Sequence, residues 1–192
     1  KVLAVAQDRI HETTFFYGIG IATAPWAEIN SASDLEAAVE RIGRPAVLKT
    51  TRLGYDGKGQ TKIAAKTDLA AAWAGMDGAP AVLEGFIDFA GEISVIVARG
   101  LDGVCVPFDP AWNVHTNHIL DTTTIPAPIS APLAERAVQV ALKAAEALDL
   151  VGLLAVEMFV TKSGDVLVNE MAPRPHNSGH WTMDACVTDQ FE

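Results

Sequence analysis

LLAVEMFVTKSGDVLVNEMA, residues 153–172, is two apolar runs around the polar turn TKSGD. Gly164 can take a positive φ at no steric cost, so a turn over Lys162 to Asp165 folds the two runs into a β-hairpin. Closing it there pairs Thr161 with Val166, Phe159 with Val168 and Glu157 with Glu170. Two carboxylates then lie opposite each other on one side of the ribbon, with Cβ atoms roughly 5 Å apart. Like charges so placed destabilise the pair unless they share a proton or bind a cation. A hard divalent ion suits two carboxylates plus phosphate oxygens, so Glu157 and Glu170 are candidate ligands for Mg²⁺, with Mn²⁺ as a substitute. Acidic residues are more often solvated than ligating. Glu157, however, sits between Val156 and Met158 in an otherwise uncharged strand. Retaining glycosidases also hold two carboxyls about 5 Å apart, but a hydrolase has no use for the glycine-rich segment upstream.

That upstream sequence interleaves helix and strand. Residues 8 to 17 read as a helix with Phe15 and Phe16 inward. SASDLEAAVERIG reads as another, with Ser33 and Glu36 at capping-box spacing and Gly43 as the stop. AVLKT and TKIAA read as strands around a glycine turn, then a helix runs from Asp68 to about Met76 with Thr67 as its cap. AVLEGF is a strand, and EISVIVARG alternates like a half-buried edge strand. Pro132 to Leu148 reads as the longest helix, with Pro tolerated in its first turn. The class is mixed α/β, of the α+β kind, with a small front part and a larger back part meeting near residue 88.

Composition excludes several functions. The 192 residues are 49% hydrophobic and 20% charged, as in an ordinary folded domain. A formal charge of −10 argues against nucleic acid, whose phosphates need net Lys and Arg. No opening segment reads as a signal or membrane span. Cys105 and Cys186 show no CxxC spacing or disulfide framework, which fits a reduced, cytoplasmic setting. The chain starts on Lys1 and reads as a piece of something longer.

The cations are local. KTTRLGYDGKGQ holds Gly54, Gly57 and Gly59 with Lys49, Arg52 and Lys58. Such a loop lets backbone N–H groups approach an anion while the cations supply charge. Its spacing is neither a Walker loop nor a dinucleotide fingerprint. A glycine hairpin over phosphates beside a strand-borne Lys is also the kinase arrangement. Tyr55 and Asp56 at its tip either contact a second substrate or cap the turn. In VLEGFIDFAGE, Phe86 and Ile87 could enclose a flat base between Glu84 and Glu92, although the same segment could be a hinge. His115 reads as a loop histidine, a type more often structural or solvated than functional. NEMAPRPHNSGHW, residues 169–181, then gathers an acid, a cation, two imidazoles and two amides on one short piece of chain.

Together, LKTTRLGYDGKGQ, GEISVIVARG, VHTNHIL and NEMAPRPHNSGHWT resemble the N5-carboxyaminoimidazole ribonucleotide synthetases of purine synthesis, within the ATP-grasp superfamily. The resemblance runs from about Thr23 onward, and its specific block is APRPHNSGHW. It implies an ATP-grasp fold: a connecting helix over 1–20, a small lid subdomain over 21–88, and an antiparallel-sheet core with helices over 89–192. The implied reaction joins bicarbonate to 5-aminoimidazole ribonucleotide through carboxyphosphate, with ATP split to ADP and phosphate. On this likeness Lys49 would hold ATP phosphates, and Gly54, Tyr55, Asp56, Gly57, Lys58, Gly59 and Gln60 would form the flap above them. Glu84, Gly85, Phe86 and Ile87 would line the adenine pocket, with Glu92 at the ribose and His115 near the nucleotide. Asn169 would stand beside the metal ligands, and Tyr55, Asp56 and Lys58 would face the ribonucleotide. Arg174, His176 and Asn177 would hold bicarbonate and then carboxyphosphate, His176 handling the proton. His180 and Trp181 would pack beneath the loop. The likeness further implies a homodimer in the full-length protein and no membrane or nucleic-acid partner. On this likeness the N- and C-terminal domains of such an enzyme would lie outside these 192 residues. The competing assignments are another ATP-grasp ligase and a non-catalytic nucleotide-binding relative.

Overall fold

A computed structural model describes residues 2–52 and 59–192. Two helices, α1 (Val2–Ala6) and α2 (Arg9–Gly18), precede a first unit of β1 (Trp26–Ile29), α3 (Ala32–Ile42), β2 (Ala46–Thr50), β3 (Gln60–Ile63), α4 (Leu69–Ala74) and β4 (Ala81–Gly85). Its four strands form an antiparallel sheet in the order β1-β4-β2-β3. Leu35, Val39, Leu48, Ile63 and Leu83 meet in the core between this sheet and its helices.

A second sheet of six strands comprises β5 (Phe89–Arg99), β6 (Cys105–Pro107), β7 (Ala111–Thr116), β8 (Ile119–Thr124), β9 (Gly152–Thr161) and β10 (Val166–Ala172). Helix α5 (Ala131–Leu148) lies on one face. Ala137, Ala141, Ala144 and Ala145 are buried along it, and such small side chains let the helix sit close to Val95, Val97, Leu154 and Val156. Phe16 of α2 belongs to the same core. The other face of the sheet points at the first unit.

Several local expectations are corrected. The cap of α3 is Ser31, not Ser33: Ser31 Oγ accepts from Asp34 N–H at 3.1 Å, while Asp34 Oδ2 accepts from Asn30 N–H. Asp68, not Thr67, caps α4 by accepting from Ala70 and Ala71, because Thr67 Oγ1 is engaged by Ala64 N–H in the preceding turn. The segment read as an edge strand is central. β5 pairs with β9 on one side and with β6 and β7 on the other, and Ile93 through Val97 are all buried. His115 belongs to strand β7 rather than to a loop.

The hairpin register also differs. Thr161 N–H donates to Asp165 O, so the turn closes one residue earlier, with Gly164 at φ +85°. Val166 therefore faces Val160, and Val168 faces Met158, all in the core. A β-bulge between Val168 and Glu170 then restores the pairing of Glu170 with Glu157. The bulge carries one extra residue, Asn169.

Candidate active site

The bulge decides which side chains reach the space between the sheets. In a regular strand Asn169 and Glu170 point to opposite faces. Here Val168 and Met171 are both in the core, and Asn169 and Glu170 both line one cavity of about 520 Å³. Glu157 and Phe159 enter it from β9, and Glu92 and His115 from β5 and β7. The first sheet supplies Lys49, Gln60, Glu84 and Gly85, and the connection to the second adds Phe86 and Ile87. Arg174, His176 and Asn177 close it from the segment after β10.

Every described candidate residue except Gly59 and Arg52 therefore lines one cleft; Arg52 instead donates to Asp8 Oδ2 at 2.7 Å. Gly59 takes φ +70°, and a Cβ there would meet Thr50 Oγ1 at 2.6 Å, so it shapes the base of its turn. Gly54, Tyr55, Asp56, Gly57 and Lys58 lie outside the described residues.

Several polar side chains of the cleft hold one another. Lys49 Nζ donates to Glu84 Oε2 at 2.5 Å, bridging β2 and β4. His176 Nε2 lies 2.9 Å from Glu157 Oε1. Burial acts to raise the Glu157 pKa, but the hydrogen bond from His176 and the electrostatic pull of the neighbouring His176, His115 and Arg174 side chains outweigh it. Glu157 is thereby held below the ordinary carboxylate range. Burial pushes Glu92 up; His115 pulls it back, and Glu157 and Glu170 push it further up. Glu92, His115 and Glu157 bring one ligand atom each within 4.8 Å of the others. Glu92 thus stands beside a metal-ligand candidate.

Arg9 was missed by the sequence reading. From the first turn of α2 its guanidinium reaches Glu170 Oε2 at 3.3 Å and lines the cavity. A cation at a helix N-terminus opposes the macrodipole, and that misfit was the available signal. Gln190 was missed too: its side chain accepts from His176 N–H and donates to His176 O, each at 2.9 Å. Trp181 packs its edge against Phe108, as expected, but His180 is exposed and stacks on Phe191.

A paired-carboxylate cleft roofed by a Lys-bearing antiparallel sheet has the donor set to take a divalent ion and an anion side by side. The family model described as the ATP-grasp domain matches residues 14–191. The chain belongs to the ATP-grasp family. Within it, an N5-carboxyaminoimidazole ribonucleotide synthase of Brucella melitensis is 49% identical over 192 residues, covering 99% of this chain and 53% of the relative. A solved ADP complex of an N5-carboxyaminoimidazole ribonucleotide synthetase superposes with TM-score 0.94 at 41% identity, covering 99% of this chain and 50% of the other. An Aspergillus clavatus N5-carboxyaminoimidazole synthase, solved with ADP and 5-aminoimidazole ribonucleotide, gives TM-score 0.90 at 26% identity over 98% of this chain and 50% of its own. This ATP-grasp chain spans about half the length of these relatives. None of its described helices is long and apolar enough to cross a membrane.

Proposed function

We propose that this chain is the ATP-grasp portion of an N5-carboxyaminoimidazole ribonucleotide synthetase. The proposed substrates are ATP, bicarbonate and 5-aminoimidazole ribonucleotide, with ADP, phosphate and the N5-carboxylated ribonucleotide as products. The observation that carries the reading is the bulged pairing of Glu157 with Glu170, which turns both carboxylates into a cleft that also holds Lys49, Arg174 and His176.

The cleft suits a divalent ion. Its carboxylates face one another, and His115 Nδ1 is buried 3.3 Å from Glu92 without an aligned hydrogen-bond partner. Glu157 and Glu170 would hold Mg²⁺ or Mn²⁺, with Asn169 and Glu92 alongside. Bound there, the metal would neutralise phosphate charge. Lys49, released from Glu84, reaches the triphosphate. Glu84, Gly85, Phe86 and Ile87 enclose the base, with Glu92 at the ribose and His115 near the nucleotide. Arg174 and Asn177 bind bicarbonate and then carboxyphosphate, for which a guanidinium and amide donors are the matching chemistry. His176 exchanges the proton, and residues 54–60 shield the labile intermediate from water. Tyr55, Asp56 and Lys58 contact the ribonucleotide. A cytoplasmic homodimer belongs to the same proposal; free Cys105 and Cys186 support a reducing setting.

Phosphate release by the full-length protein tests it. ATP cleavage should require both bicarbonate and the aminoimidazole ribonucleotide. Release driven by amino acids with other amine acceptors would make the protein a different ATP-grasp ligase, and ATP binding without cleavage would make it a non-catalytic relative.

A further inference from the structure

A line of hydrogen bonds runs through the second sheet to His176. Thr123 Oγ1 donates to Asn113 Oδ1 at 3.1 Å, and Asn113 Nδ2 donates to Ser94 Oγ at 2.9 Å. Ser94 Oγ donates to Ser178 Oγ at 2.7 Å, and the Ser178 hydroxyl lies 2.9 Å from His176 Nδ1. Ser178 N–H donates to the same nitrogen at 3.3 Å. These groups are deep: Ser94 and Ser178 are 1% exposed and Asn113 is 4% exposed.

The direction of the line follows from its ends. A backbone N–H only donates, so Nδ1 of His176 is an acceptor. The Ser178 hydroxyl accepts from Ser94 and has its own hydrogen left for Nδ1. The Asn113 amide sets the far end, donating through Nδ2 while Oδ1 accepts from Thr123. Nε2 therefore carries the ring hydrogen, and it points at Glu157 Oε1, 2.9 Å away. An imidazole held by donors at one nitrogen has its tautomer and ring edge set for the other.

We infer that Asn113, Ser94 and Ser178 are positioning residues that hold His176 as the Nε2–H tautomer, with that hydrogen directed into the cleft at Glu157. Neither serine nor Asn113 lines the cavity; each acts through the imidazole. Satisfying one another would not by itself explain them. Apolar side chains at the same places would fill a sheet flanked by Ile93 and Val95 with no polar group to pair. What the hydroxyl line adds is a fixed donor for an anionic oxygen beside Arg174. The inference rests on the carboxylation reading for its purpose, but not for its geometry.

The test has two arms on the full-length protein. Long-range ¹H–¹⁵N correlation on ¹⁵N-histidine-labelled protein should show His176 with a protonated Nε2 and a bare Nδ1. Ser178→Ala should mix in the other tautomer and lower kcat at least about tenfold, part of the ~10²–10⁴-fold that a placed acid–base group contributes, while the KM for ATP stays within about twofold. Asn113→Asp, alike in shape, turns the Ser94 hydrogen toward the new carboxylate and should give the same split. A bare Nε2 in the parent protein overturns the inference. So does Ser178→Ala with the parent tautomer and kcat but lowered stability, the signature of a purely structural hydroxyl. Absence of carboxylation in the parent would refute the functional reading alone, since the nitrogen pattern is read without turnover.

Discussion

Glu12 shows how one side chain bears on a site it does not enter. On α2 it is almost fully buried, and its Oε1 accepts from Met171 N–H at 2.6 Å, tying the helix to the strand that carries Glu170. Burial pushes its carboxyl up to about 8; the Met171 hydrogen bond and Arg9 oppose this, and Glu170 and Glu84 reinforce it. Between the ordinary carboxylate range and about pH 8, the folded chain keeps a proton that the unfolded chain has released. Stability is therefore greatest at the acid end of that window and falls as pH rises, by up to about 1.4 kcal/mol per unit. Glu12→Gln keeps an acceptor for Met171 and removes this loss. Unfolding midpoints between pH 5 and 9 should decline less steeply in the variant, and parallel declines would contradict the assignment. Glu12 was not legible from sequence because nothing in RIHETTFF marks its carboxylate as the buried one.

Strand β10 was legible in outline and wrong in register. Pairing Glu157 with Glu170 was correct, but by a count that placed Val168 opposite Phe159. The apolar positions 166, 168 and 171 hold the missing clue: two steps, then three, which is the pattern of a bulge. The following segment was legible as chemistry but not as packing. Gly179 sits where an added Cβ would lie 2.4 Å from both Gln190 Oε1 and Ile96 Cδ1. Gly179→Ala should cost about 1–3 kcal/mol of stability by overpacking. It should also slow turnover, because the displaced Gln190 brackets the backbone of His176. Denaturant unfolding checks the first effect, and unchanged stability would mean that Gln190 yields freely. β5 was misread for a related reason. Alternation says how a strand is buried, and EISVIVARG lacks the regular alternation of an edge strand.

The two sheets are what sequence could not place. Motifs on β2, β4, β5, β7, β9 and β10 were each readable, yet their distances depend on how one sheet closes over the other. Lys49 and Glu84 meet within the first sheet, and Glu92, His115 and Glu157 within the second, with Arg9 reaching Glu170 from the helix packed on it; only the meeting of both sets in one cleft depends on that closure. Among the described residues lining the cleft, carboxylates outnumber lysines and arginines, an imbalance that a divalent ion would relieve. Titration calorimetry of this chain with ATP measures that directly. Heat of binding should appear with Mg²⁺ present, weaken by about 10²-fold in affinity without it, and weaken to the same degree in Glu170→Gln. Equal affinity with and without the metal, or undiminished affinity in Glu170→Gln, would contradict a magnesium site shared by the two strands.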